Sequence, residues 1–270
     1  MSLMNFLSQF EEEILNTEAK ETLLNRKEVF GKMTRASKML AVSALPLGFI
    51  GALATPVRAQ STGELVDILN FALTLEHLEN EYYIMGTDQS GLIPAGKETD
   101  IFAQIQKHEQ QHVDFLIDTI EALGGEPIDK PTFDFTVGGA FDPFNNYNQF
   151  TALAQAFEDT GVRAYKGQAP AAQGNAQILT AALAIHSVEA RHASEVRRLR
   201  GLKGWITRDN RGEGMPEPTQ AAYNGENEDT QLGILVTDVT DVGRDGVTEA
   251  WDEPLTKEAV IDIASLFITE

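Results

Sequence analysis

The polarity pattern divides the chain into three stretches. Residues 3–30 (LMNFLSQFEEEILNTEAKETLLNRKEVF) have an amphipathic, helix-like pattern, and residues 39–57 (MLAVSALPLGFIGALATPV) carry no charge. From Glu64 to about residue 201, apolar positions recur every three or four residues, the period of one helix face. Four helices are predicted. The first, about 64–86, aligns Leu65, Leu69, Ala72, Glu76, Glu79 and Tyr83 on one stripe. The second, about 98–123, aligns Phe102, Ile105, Glu109, His112, Leu116, Ile120 and Leu123, and Gly124-Gly125 ends it. The third, about 147–167, aligns Phe150, Ala154, Glu158, Gly161 and Tyr165. The fourth, about 174–201, aligns Ile178, Ala182, Ile185, Glu189, His192, Val196 and Leu199.

Each stripe therefore carries a carboxylate where a core residue is expected. Any one of these is most simply a solvated glutamate, since Glu is rarely fully buried. Four together, two with histidine one turn on, point to a shared site. A repeat supports this. Glu76 precedes Tyr83 by seven residues and is followed by Glu109-x-x-His112; Glu158 precedes Tyr165 by seven and is followed by Glu189-x-x-His192. The lone and paired glutamates are 33 residues apart in the first copy and 31 in the second. The same helical hairpin occurs twice, and each copy supplies one lone Glu and one Glu-x-x-His, the ligand set of carboxylate-bridged di-metal bundles. Short loops join helices one to two and three to four. More than twenty residues, rich in Pro and Gly, separate helices two and three and predict a long crossover.

Charge and composition narrow the chemistry. The chain has 270 residues, 42% hydrophobic, with a formal charge of −20 and no cysteine. It is globular in composition, without thiol catalysis or zinc-thiolate sites. The first 59 residues hold seven Lys/Arg and six Glu, so the whole acidic excess lies beyond them. That surface repels nucleic acid and anionic membranes and attracts cations. Clustered buried carboxylates repel one another unless cations or protons offset them. Carboxylate oxygen with imidazole nitrogen suits two divalent ions, Fe or Mn foremost and Zn also.

The string HEQQH at 108–112 also matches the zinc-protease signature H-E-x-x-H. Aligned on its glutamate, the second copy reads VEARH, with Val188 where the first has His108. The shared content is Glu-x-x-His, so the protease match is attributed to coincidence in its first letter. His77, His108 and His186 fall off the proposed positions and are expected at the surface.

The stretches FALTLEHLENEYY, IQKHEQQHVDFL, AFEDTGVRAYKG and HSVEARHASEVR resemble the ferritin-like superfamily, which includes ferritins, rubrerythrins and manganese catalases. Over residues 60–270, including AWDEPLTKEAVIDIASLFI, the chain is similar to bacterial ferritin-like proteins related to the plant desiccation-related protein. The resemblance implies an all-α, ferritin-like four-helix bundle of two antiparallel hairpins with a long crossover. It implies Glu76, Glu109, His112, Glu158, Glu189 and His192 as metal ligands, with Glu109 and Glu189 bridging and central to catalysis. Glu79 is an alternative ligand to Glu76. Tyr83 and Tyr165 are implied as hydrogen-bonding neighbours of the ligands. The expected partners are the metal ions and O2 or peroxide, in a ferroxidase, peroxidase or catalase-like reaction of stress protection. The alternatives are a desiccation or stress protein that is structural or sequesters metal with little turnover, and a storage cage. Homo-oligomerisation is left open.

Residues 1–59 read as a leader. Arg26, Lys27, Lys32, Arg35 and Lys38 precede the uncharged segment, and Val57 and Ala59 stand at the −3 and −1 positions of a cleavage site before Gln60. NRKEVFGK resembles a twin-arginine export signal with Arg26-Lys27 in place of Arg-Arg. Export, to a periplasm, is the expectation. An uncleaved anchor or a packed helix are the alternatives, and Pro46, Gly48 and Gly51 make residues 39–57 a poor continuous span. The bundle is assigned to 60–202 and a C-terminal extension packing on it to 203–270. In that extension RDNRGEGMPEPTQAAYNGENEDTQ reads as a covering segment or loop, ILVTDV as a short strand, and 254–268 as a helix begun by Thr256. Trp205 and Trp251 are expected to pin it to the bundle.

Overall fold

Four long helices form where the stripes predict them. The computed structural model describes residues 61–269; the leader, its uncharged segment and the cleavage position before Gln60 lie outside the described residues. Helix α1 (Thr62–Asp88) starts at a capping box, in which the Ser61 hydroxyl accepts from the Glu64 N–H and the Glu64 carboxylate accepts from the Ser61 N–H. Helix α2 is Lys97–Ala122. It closes on Gly124, whose φ of 77° lets the Gly124 and Gly125 amides return to the carbonyls of Glu121 and Ile120. Asn146 and Asn175 cap α3 (Tyr147–Gln168) and α4 (Ala176–Leu199). The link between α3 and α4 is itself mostly a 3-10 turn, Ala169–Ala172.

Helix α1 packs along α2 and α3 along α4, giving two hairpins whose apolar stripes face each other. One end of the bundle is filled by aromatic rings: Phe102 and Phe150 lie 5.0 Å apart and Tyr82 stacks on Phe150 at 5.1 Å. The crossover is tied down by the far end of the chain, for Asp134 N–H donates to the Phe267 carbonyl and Thr269 N–H to that of Thr132.

Beyond α4 the chain wraps over α3. It forms a 3-10 turn (Glu217–Ala222), a two-residue hairpin of β1 (Thr230–Gln231) and β2 (Ile234–Leu235), then α5 (Arg244–Thr248) and α6 (Lys257–Ala264), with Thr256 as N-cap. Only Ile234–Leu235 of the predicted ILVTDV strand is extended, because Val236–Asp238 turns into 3-10 geometry. Between its neighbouring helices and the extension, α3 is buried on every side from Phe150 to Tyr165. Trp205 and Trp251, expected to pin the extension, stay 47% and 37% exposed and lie outside the buried core. Leu255, Val260, Ile263 and Phe267 are buried against the bundle, with Tyr223. Among the described residues no helix is long and apolar enough to cross a membrane.

Candidate metal centre

The centre lies midway along the bundle, where all four stripes turn polar. Glu76, Glu109, Glu158 and Glu189 are fully buried, and His112 and His192 nearly so. They form two overlapping groups: Glu76, Glu109, His112 and Glu189, and Glu109, Glu158, Glu189 and His192. Within each group one ligand atom per residue lies within 4.8 Å of every other. Glu109 and Glu189 belong to both. His112 Nδ1 is 3.1 Å from Glu76 Oε2, 3.2 Å from Glu109 Oε2 and 3.1 Å from Glu189 Oε1. His192 Nδ1 is 2.8 Å from Glu109 Oε1, 3.3 Å from Glu158 Oε2 and 3.4 Å from Glu189 Oε2. Each shared carboxylate thus turns one oxygen to each imidazole.

This arrangement fits cations better than protons. One ring nitrogen carries at most one proton and cannot serve three carboxylates. Glu109 Oε1, Glu158 Oε2, both Glu189 oxygens and His192 Nδ1 are buried without a properly formed hydrogen bond. Such groups are costly to leave unpaired, and all of them face the two groups of donors.

Two tyrosines cross between the hairpins. The Tyr83 hydroxyl donates to Glu158 Oε1 at 2.5 Å, and the Tyr165 hydroxyl donates to Glu76 Oε1. Each tyrosine holds the lone glutamate of the other copy, a crossing that seven-residue spacing does not reveal. Glu79 is buried but stands outside both groups. Its counterpart in the second copy is Gly161, where an added Cβ would lie 3.1 Å from Glu79 Oε1. The missing side chain leaves the space that the extra carboxylate uses.

Of the remaining histidines, expected at the surface, only His77 is fully buried, and His108 and His186 are partly exposed. His77 is buried, His186 half-buried, and His108 stacks on His192 with its Nδ1 2.9 Å from His192 Nε2. Gln104 contacts the other His108 nitrogen at 2.7 Å. His108 therefore orients His192 from behind rather than pairing with His112 as the protease signature requires. Sequence reasoning missed it; the deviation of HEQQH from VEARH was the available signal.

Burial and mutual repulsion make the carboxylates hold protons. Burial, reinforced by Glu189, raises Glu76. Burial lifts Glu109 to about 7, with Glu189 adding to it, and lifts Glu158 to about 8. Burial and four neighbouring carboxylates push Glu79 well above its usual value. Glu189 goes the other way: burial opposes ionisation, but the two imidazoles overcome it and hold Glu189 at about 2. For His112 burial likewise opposes the charge, and the close carboxylates of Glu109, Glu189 and Glu76 prevail, raising it to about 12. His192 is raised by Glu158 and the same shared carboxylates, against the opposing effect of burial.

The sign of the pH effect follows. Between 4.5 and about 7 to 8 the folded chain keeps protons on Glu109 and Glu158 that the unfolded chain has released. The stabilisation from His112 is present below 6.5 and is lost as pH climbs toward about 12. Glu189 acts oppositely, losing its contribution only as pH falls from 4.5 toward about 2. Metal-free protein should therefore melt at lower temperature as pH is raised from about 5 to 8. With Mn(II) bound the trend should reverse, since metal displaces the same protons. Thermal melts across that range with and without Mn(II) check this; parallel curves would remove the coupling.

A helical bundle with two hairpins and a buried Glu/His cluster at mid-height defines a class of carboxylate metal-site proteins. The chain belongs to the ferritin-like domain family, whose model matches residues 64–202. Among curated proteins none matches it in sequence.

Proposed function

We propose that this protein is a di-metal carboxylate oxidoreductase that binds two Fe or Mn ions and reacts with O2 or peroxide in stress protection. The observation that carries the reading is the pair of overlapping donor groups that share Glu109 and Glu189. Glu76 and His112 would complete one position, Glu158 and His192 the other. When bound in the divalent state, two such ions supply two electrons, which with two protons convert O2 to hydrogen peroxide or hydrogen peroxide to two waters. The chain's own residues keep the site dry, fix each lone glutamate through a tyrosine hydroxyl, and hold protons on Glu109 and Glu158 that metal entry releases.

Kinship with desiccation-related proteins is proposed on the motif texture and on the 250–268 block. Export is proposed on residues 26–59, and mature protein from the native host should begin at Gln60. Metal analysis of purified protein should give two Fe or Mn per chain, and anaerobically loaded protein should oxidise when O2 or peroxide is added. Bound metal without turnover favours sequestration, and a large shell on sizing favours storage. Protein that takes up no metal on titration sinks the reading.

A further inference from the structure

An apolar cavity lies against one end of the metal centre. Its free volume is about 40 Å³, and of its sixteen lining residues thirteen are hydrocarbon. All four helices contribute at matching heights. Ala72 is four residues before Glu76, Leu116 four after His112, and Ile185 four before Glu189, so each wall lies ~6 Å along its helix from a candidate ligand. The fourth wall is Tyr165, whose hydroxyl donates to Glu76. On the other side the cavity reaches Phe115, which is 43% exposed, and Ala182. Alanines at 72 and 182 leave the room. The opposite end of the centre is plugged: Tyr83 has Phe102 at 6.1 Å and Phe150 at 6.4 Å.

We propose that this cavity receives dioxygen and passes it to the Glu76–His112 side of the centre, so that the oxidant taken through it is O2 and not peroxide. The inference rests on the functional reading above for its destination, but the cavity itself does not. A water needs roughly 10–15 Å³ and several polar partners, so a 40 Å³ hydrocarbon space has room for a small molecule and little to hold water. Hydrogen peroxide entering it gives up hydrogen bonds that the walls cannot replace. Dioxygen has none to give up. The Tyr165 ring stands between cavity and centre, with its hydroxyl on Glu76.

Xenon, an apolar atom close in size to dioxygen, tests the cavity without metal or turnover. Metal-free full-length protein should show a saturable 129Xe shift, absent in Ala72→Leu. Ala182→Leu fills the same space from α4 and serves if the first variant does not fold. In Fe(II)-loaded protein either substitution should slow O2-driven oxidation several-fold and leave peroxide-driven oxidation unchanged. No saturable xenon site in protein that binds metal overturns the cavity alone. An unchanged O2-driven rate, or equal slowing with peroxide, overturns the route. Failure to take up metal overturns the functional reading, and the xenon result still decides the cavity.

Discussion

In Glu189→Ala, metal uptake should fall from two ions per chain to none at concentrations that load the wild type. Glu189 is the carboxylate common to both donor groups that carries the charge: the two imidazoles hold it at about 2, while burial lifts Glu109 to about 7. Removing it deletes one oxygen from each position and leaves His112 and His192 each with one fewer acceptor. Glu109→Ala should do the same, since Glu109 is the other shared residue. Glu158→Ala touches only the His192 group and Glu76→Ala only the His112 group, so each should leave one ion bound. His108→Ala should retain both ions but bind one about 10–100-fold more weakly, because it removes only the contact that orients His192. Metal-to-protein ratios after dialysis, with Mn(II) titration for affinity, separate these variants. Glu189→Gln keeps the volume and removes the charge, so it distinguishes a lost ligand from a lost fold. Two ions retained by Glu189→Ala would refute the shared-carboxylate arrangement.

Much of this was readable from spacing. A 3.6-residue period fixes which side chains share a helix face, so glutamates at 76, 109, 158 and 189 on apolar stripes had to meet if the helices bundled. The helix end was placed less sharply: the fourth helix was expected from about 174, and Asn175 caps it because its side chain accepts from the Gln177 and Ile178 amides. What spacing does not contain is the rotation of one hairpin against the other. That rotation sends Tyr83 to Glu158 rather than to its own copy, and brings His108 to His192, 84 residues away. The extension was expected to pack on the bundle, and it does, but its anchors escaped the sequence for a related reason. Gln155, Asp159 and Arg163 step by four along α3 opposite the ligand stripe and look like a solvent face. Instead they are buried under the extension. Their anchoring partners are polar and scattered, whereas tryptophans were the conspicuous residues in the tail.

Arg163→Ala should therefore be the most destabilising change away from the metal. The guanidinium is 1% exposed; its Nε lies 2.7 Å from Glu226 Oε1, and it donates to the carbonyls of Glu253, Ala222 and Asn224. All four partners belong to the extension, so one side chain fastens two separate stretches of it, 222–226 and 253, to α3. Breaking a buried pair by removing one member costs about 3–5 kcal/mol, which for a chain of this size lowers Tm on the order of 10 °C. Burial already lifts Glu226 to about 7 with the arginine beside it; without that cation Glu226 must take up a proton or stand as a buried, unpaired charge. Arg163→Lys should rescue little, because a single ammonium cannot reach carbonyls spread around a planar fork. Glu226→Gln placed on Arg163→Ala should recover part of the loss by removing the stranded charge. Asp159 remains paired with Arg197 at 2.5 Å and with the Tyr223 hydroxyl at 2.7 Å, so the ligand stripe on the opposite face of α3 keeps its support. Limited proteolysis should accordingly cut Arg163→Ala first within 203–250 while metal uptake persists. Wild-type resistance of that segment in the variant would show that the apolar contacts of Leu255, Val260 and Phe267 hold the extension without the arginine.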